Sequence, residues 1–250
     1  MLRSWIGWAL LGLLAYLIAL VLTLPARQVV HWAKLPLTSV QGSLWHGSAQ
    51  VRIGKESIEH VAWRVHPAWP WQGALGAHID ARQQGWQGVG EITMGWNGAL
   101  HARDVSLDGP LDSPFISRRL AIPARGQARL KLDRATWRHG LAQAEGAVLE
   151  LRDPAIQFGD WLTLGNQRAS LAVRNGRLDA QLGDLGGPLE LRGTLQGDAK
   201  AGLSFEARLA ARPGASPALE DALRLLPNHP QGGARAQSRL SAPWLATPTN

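Results

Sequence analysis

The stretch Ala169–Leu182 reads ASLAVRNGRLDAQL. Apolar side chains recur at every second position in Ala169, Leu171 and Val173, and again in Leu178, Ala180 and Leu182. A period of two places all members of a set on one face of a strand. Between the sets stands Asn175-Gly176, a pair suited to the two positive φ angles of a tight type I′ hairpin turn. The segment therefore predicts an antiparallel hairpin with one apolar and one wet face.

The same alternation extends in both directions. Upstream it is carried by Val61/Trp63/Val65, Leu75/Ala77/Ile79/Ala81, Ile92/Met94/Trp96, Ala128/Leu130/Leu132 and Ala147/Leu149/Leu151. Downstream come Leu189/Leu191/Leu195 and Leu203/Phe205/Ala207/Leu209. Asn97-Gly98, Gly186-Gly187-Pro188 and Gly197-Asp198 read as further turns. Consecutive hairpins without intervening helices predict a mainly β chain, a long antiparallel meander. Such a sheet must roll up, fold over itself or pack on another to cover its apolar face. Barrel, sandwich and open sheet all remain compatible with the pattern.

Two segments interrupt it. Residues 108–126 carry Pro110, Pro114 and Pro123 and are expected to join two sub-sheets. Ser216 to Leu226 is expected to be a short helix near the C-terminus. Ser216 caps it, Pro217 suits its first turn, and Leu219, Ala222, Leu223 and Leu226 share a face.

Trp5 to Leu24 holds 20 residues without a charge, the length of a helix that crosses the hydrocarbon core. Trp5 and Trp8 stand where an interfacial belt is expected, and Pro25 ends the helix. The apolar run is longer than a cleavable signal's, and no good small-x-small site follows it. The expected organisation is a cytoplasmic tail (1–4), a transmembrane helix (5–24) and an exported β-domain (25–250).

Composition narrows the function. Without cysteine there is no disulfide framework, thiol nucleophile or Cys-based metal site. The net charge of +7 is dispersed along alternating strands rather than clustered, a weak footprint for nucleic acid. Eight histidines are scattered without metal-ligand spacing, and no nucleophile elbow, P-loop or dinucleotide glycine pattern occurs. No catalytic, cofactor or metal residue is expected, and the chain reads as no enzyme.

One ordered set of motifs carries a resemblance. Leu24-Pro25-Ala26-Arg27 is followed by Gly42-Ser43-Leu44-Trp45-His46-Gly47-Ser48-Ala49 and then by Trp63-Arg64-Val65-His66-Pro67. Later come Gly159 to Gly165, Leu182-Gly183-Asp184-Leu185-Gly186-Gly187 and the helix from Pro217. From about residue 2 to 240 this order resembles the type II secretion system protein N family of Gram-negative bacteria. The resemblance implies an inner-membrane, periplasm-facing accessory part of the machine that carries folded proteins across the outer membrane. It implies no enzymatic activity and no cofactor. Implied partners are other inner-membrane and periplasmic secretion components, the outer-membrane secretin among the candidates. Lipid stays open as a further partner, because a long sheet with one greasy face is also what lipid-handling periplasmic proteins build.

Gly42, Leu44, Trp45, Gly47, Trp63 and Pro67 are the family-motif positions, to be read either as a docking strand or as a tight corner with Trp45 in the core. Trp63, Trp86 and Trp96 either line a groove or fill the core. Trp69 and Trp71 flank Pro70 and cannot easily sit inside a sheet; a membrane surface or a protein interface suits them.

Overall fold

The computed structural model of the chain describes residues 37–53, 56–68, 74–118, 122–138, 141–198, 202–227 and 233–240. The expected transmembrane helix and Trp69 and Trp71 lie outside the described residues.

Fourteen strands form one antiparallel sheet. They are β1 (Leu37–Gly42), β2 (His46–Ile53), β3 (Glu56–Ala68), β4 (Ala74–Gln83), β5 (Trp86–Met94), β6 (Leu100–Pro110) and β7 (Ala124–Arg138). They continue as β8 (Leu141–Phe158), β9 (Asp160–Thr163), β10 (Gln167–Arg174), β11 (Arg177–Asp184), β12 (Leu189–Asp198), β13 (Gly202–Ala211) and β14 (Ala234–Leu240). Thirteen follow one another in chain order across the sheet, and β9 pairs with β8 off that path. The pairing path does not close on itself: among the described residues β1 and β14 are each paired on one side. Among the described residues two short helices interrupt the meander, α1 (Pro114–Ser117) and α2 (Pro217–Arg224).

The hairpin read from Ala169–Leu182 forms with Arg174 opposite Arg177, Leu171 opposite Ala180 and Ala169 opposite Leu182. Asn175 and Gly176 take φ of 51° and 76°, both left-handed as a type I′ turn requires. Asn97-Gly98 closes differently. Gly98 alone of the pair has positive φ, at 73°, and Gly98 N–H donates to Gly95 O. The result is a three-residue loop ending in a left-handed glycine. Gln84-Gly85, with φ of 47° and 86°, makes a two-residue turn between Gln83 and Trp86. Glutamine carries little turn signal, so this turn is not legible from the sequence. Gly197-Asp198 belongs to β12 rather than to a turn.

The sheet does not break at 108–126. Strand β6 runs through Pro110, and Gly109 and Pro110 pair with Ala128 and Gln127 of β7. Pro110 is thus inside the pairing, and Pro114 opens α1 just beyond it. Trp86 seals the corner: its ring lies over Gly109, and its Nε1–H donates to Ser113 Oγ at 2.8 Å and to Pro110 O at 3.1 Å.

Register makes the apolar sets one surface. The row Trp63–Ile79–Gly90 in β3–β5 is continued by Val105–Leu132–Ala147–Leu171–Ala180–Leu195–Phe205 through β13. The opposite face is charged, with Asp108, Arg129, Glu150 and Arg168 side by side across four strands. Alternating sign between neighbours makes this ladder favourable. The most buried apolar residues are largely alanines, including Ala128, Ala169, Ala180 and Ala207, as expected of a single-layer sheet whose larger side chains stay half-buried.

Candidate functional site

Two places in the fold concentrate distinctive residues. The first is the corner between β1 and β3. Gly42 has φ of 88°, and a Cβ there would stand 2.5 Å from His46 O. Gly47 is as crowded, since its Cβ would fall 2.5 Å from Gln41 O and 2.7 Å from the Trp63 ring. Both positions therefore require glycine by close approach. The Trp63 indole packs on Val40 and Ala49, and its Nε1–H donates to Leu44 O at 3.1 Å. Val65 N–H donates to Trp45 O.

The motif Gly42, Leu44, Gly47 and Trp63 is thus brought together, and Trp63 is the tryptophan that fills its interior. Trp45 is half-buried beside it. Pro67 stands in β3 opposite Leu75 of β4, toward the other end of the strand. Trp63, Trp86 and Trp96 do not share a groove: Trp86 is buried at its own corner and Trp96 is 87% exposed in a turn.

The second place is on the apolar face toward the C-terminus. Helix α2 begins as expected, with Ser216 Oγ accepting from Leu219 N–H and Pro217 in the first turn. Its apolar residues Leu219, Ala222 and Leu223, with Leu226 just past its end, turn to the sheet and line one side of an open pocket of about 450 Å³. The sheet contributes Leu149, Leu151, Ala169, Leu182, Leu189, Leu191 and Leu209, and Ile156, Phe158 and Leu162 flank them.

A polar clamp braces the strand ends beside the cavity. The Asp184 carboxylate, its side chain 7% exposed, accepts from Arg212 at 2.6 Å, from Gly186 N–H and from Leu191 N–H. Arg212 also donates to Gly187 O, and Gly165 packs directly on Gly187. Burial alone would raise the Asp184 pKa; the hydrogen bonds and the Arg212 charge outweigh it and hold the carboxyl below its usual range. Leu182–Gly187 is legible in the sequence as a motif but the clamp is not, because Arg212 lies 28 residues from Asp184.

The apolar face also has an exposed end. Leu75, Met94, Leu100 and Trp137 stand in one cross-strand row and are 41–50% exposed.

Comparison with known proteins decides the family. The family model described as type II secretion system protein N matches residues 33–237. This chain belongs to the protein N family. Type II secretion system protein N of Aeromonas hydrophila is 33% identical to it over 138 residues, covering 50% of this chain and 53% of that relative. The match thus spans about half the length of the curated relative. No solved structure matches the chain. Both the glycine–tryptophan corner and the cavity under α2 lie within the family match.

Proposed function

We propose that this member of the protein N family is a non-enzymatic accessory component of the type II secretion system, anchored in the inner membrane and facing the periplasm. Residues 5–24 are its single transmembrane helix, and the β-domain acts through contacts with other inner-membrane and periplasmic components. The outer-membrane secretin is among the candidate partners. The observation that carries this reading is the family match over residues 33–237. The uncharged run Trp5–Leu24 supports the anchor. Among the described residues the outer edges of β1 and β14 pair with no other strand, and edges of that kind offer backbone groups that a partner strand can use.

The chain has no cysteine, so a single Ser170→Cys on the exposed polar face gives one labelling site. Labelling by a membrane-impermeant maleimide in intact spheroplasts is the expected result. Labelling only after lysis would overturn the orientation.

A second reading, lipid handling, is favoured by one specific observation. One face of the sheet carries both the exposed row at Leu75–Trp137 and the leucines that line the pocket beside α2. Contact with lipid and a role in secretion are compatible.

A further inference from the structure

Antiparallel pairing puts the β3–β4, β5–β6, β7–β8 and β10–β11 connections at one end of the sheet. The row Leu75–Met94–Leu100–Trp137 crosses β4 to β7 there. Met94 is the last residue of β5, Leu100 the first of β6 and Leu141 the first of β8. These four row residues and Leu141 are 41–53% exposed, and Trp96 in the β5–β6 turn is 87% exposed. The β10–β11 turn adjoins them, because Gly176 N–H donates to Ala142 O and Ala142 pairs with Trp137. An apolar surface that continues across neighbouring strands marks a place of contact.

Charge says what the contact is. Residues 65–77, 92–102, 135–144 and 173–178 hold these four hairpin ends, and none of the chain's 19 acidic residues falls in them. Arg138, Arg174 and Arg177 are exposed beside the apolar side chains, Arg177 lying 3.9 Å from Asp179. The opposite end of the sheet is unlike this one, for Asp112, Asp153, Asp160 and Asp184 all stand there.

Tryptophan among aliphatic side chains, with arginine at the margin, matches the interfacial layer of a bilayer. Indole rings settle at headgroup level, aliphatic side chains reach the acyl boundary, and anionic headgroups attract arginine. Carboxylates, which such a surface repels, are missing from these hairpin ends. The tether is long enough. Residues 25–36 separate the proposed anchor from β1 and reach at most about 40 Å. Strand β2, with 8 residues, is about 26 Å long, so either end of the sheet can come to the membrane.

We propose that this end of the sheet is a second membrane contact, in which the hairpin ends around Trp96 and Trp137 dock on the anionic headgroup surface of the bilayer that holds the anchor. The occupant is the lipid surface rather than a single bound lipid. The inference rests on the proposed anchor for its tether, and the secretion role does not depend on it.

The test uses the full chain in phosphatidylcholine vesicles with or without phosphatidylglycerol, carrying an environment-sensitive fluorophore on one introduced cysteine. Ala142→Cys places it in the patch; Ser170→Cys on the polar face and Asp112→Cys at the opposite end are exposed controls. A lipid spin-labelled near its headgroup is the quencher. With phosphatidylglycerol, quenching at position 142 is expected to exceed that at either control at least about threefold. The excess should vanish without the anionic lipid. Trp96→Ser, at an exposed turn position, should reduce the excess while leaving the urea midpoint unchanged. Arg138→Glu combined with Arg174→Glu should abolish it. Co-flotation with vesicles lacking phosphatidylglycerol reports the anchor alone, so failure of the anchor and failure of docking are read separately. Equal quenching at all three positions, or the same excess with and without phosphatidylglycerol, would overturn the proposal. Chains joined through the introduced thiol at position 142, without quenching, would show that a second copy covers the patch and would overturn it too.

Discussion

Asp184 and Arg212 meet at 2.6 Å across the ends of β11 and β13, with β12 between their strands. One carboxylate there gathers a guanidinium and two backbone N–H groups, so three strand ends and the Gly186-Gly187 turn are tied at one point. Asp184→Asn should destabilise the domain by about 1–3 kcal/mol in urea unfolding.

The same carboxylate sets an acid limit. Its folded pKa is lowered, so the unfolded chain binds the extra proton and stability rises with pH across that range. The contribution is complete above the ordinary carboxylate value of about 3.9 and is lost as pH falls through the lower folded value. Unfolding measured between pH 2 and 6 should give a steep acid slope that Asp184→Asn flattens. An unchanged slope would mean that the clamp is not what acid breaks.

The two faces can be separated by neighbouring residues. Leu171 stands in the apolar row opposite Ala180, and Ser170 is exposed on the charged side. Leu171→Asp should cost more than about 2 kcal/mol, and Ser170→Asp should stay within about 0.5 kcal/mol. Comparable losses in thermal unfolding would contradict the face assignment.

Glycines should divide by geometry. Gly176 at φ 76° cannot take alanine without left-handed strain, and Gly176→Ala should cost about 1–2 kcal/mol. Gly183, with open space where a Cβ would go, should accept alanine with no loss. Gly47→Ala meets both Gln41 O and the Trp63 ring and should cost about 1–3 kcal/mol, with a change in near-ultraviolet circular dichroism as Trp63 shifts.

Much of this architecture is written in residue order. Leu171 and Leu178 alternate around Asn175-Gly176, and period two with one turn signal suffices to place both strands. Helix α2 is equally legible, because Ser216, Pro217 and the Leu219 stripe are local signals. What depends on distant partners is not. The prolines of 108–126 suggest a break, yet the pairing of Gly109 with Ala128 carries the sheet past them. Trp45 and Trp63 read alike as core fillers, and only the position of Val40 and Ala49 selects Trp63. Gln167 looks like an ordinary polar start to a strand, and its burial follows only from the folded neighbours around it. The family motif is compatible with a docking strand or with a tight corner around Trp45, and in the fold Gly42, Gly47 and Trp63 meet in a tight corner whose interior holds Trp63; partner contacts are a question of surfaces that alternation does not encode.

The proposed role of this member of the protein N family is in protein export. Its most direct test is deletion of the gene in its host, with exported enzymes assayed in the medium and in the periplasm. The account predicts periplasmic accumulation that the intact gene reverses. Unchanged secretion, above all with altered membrane lipids or envelope permeability, would contradict it and leave lipid handling as the protein's task.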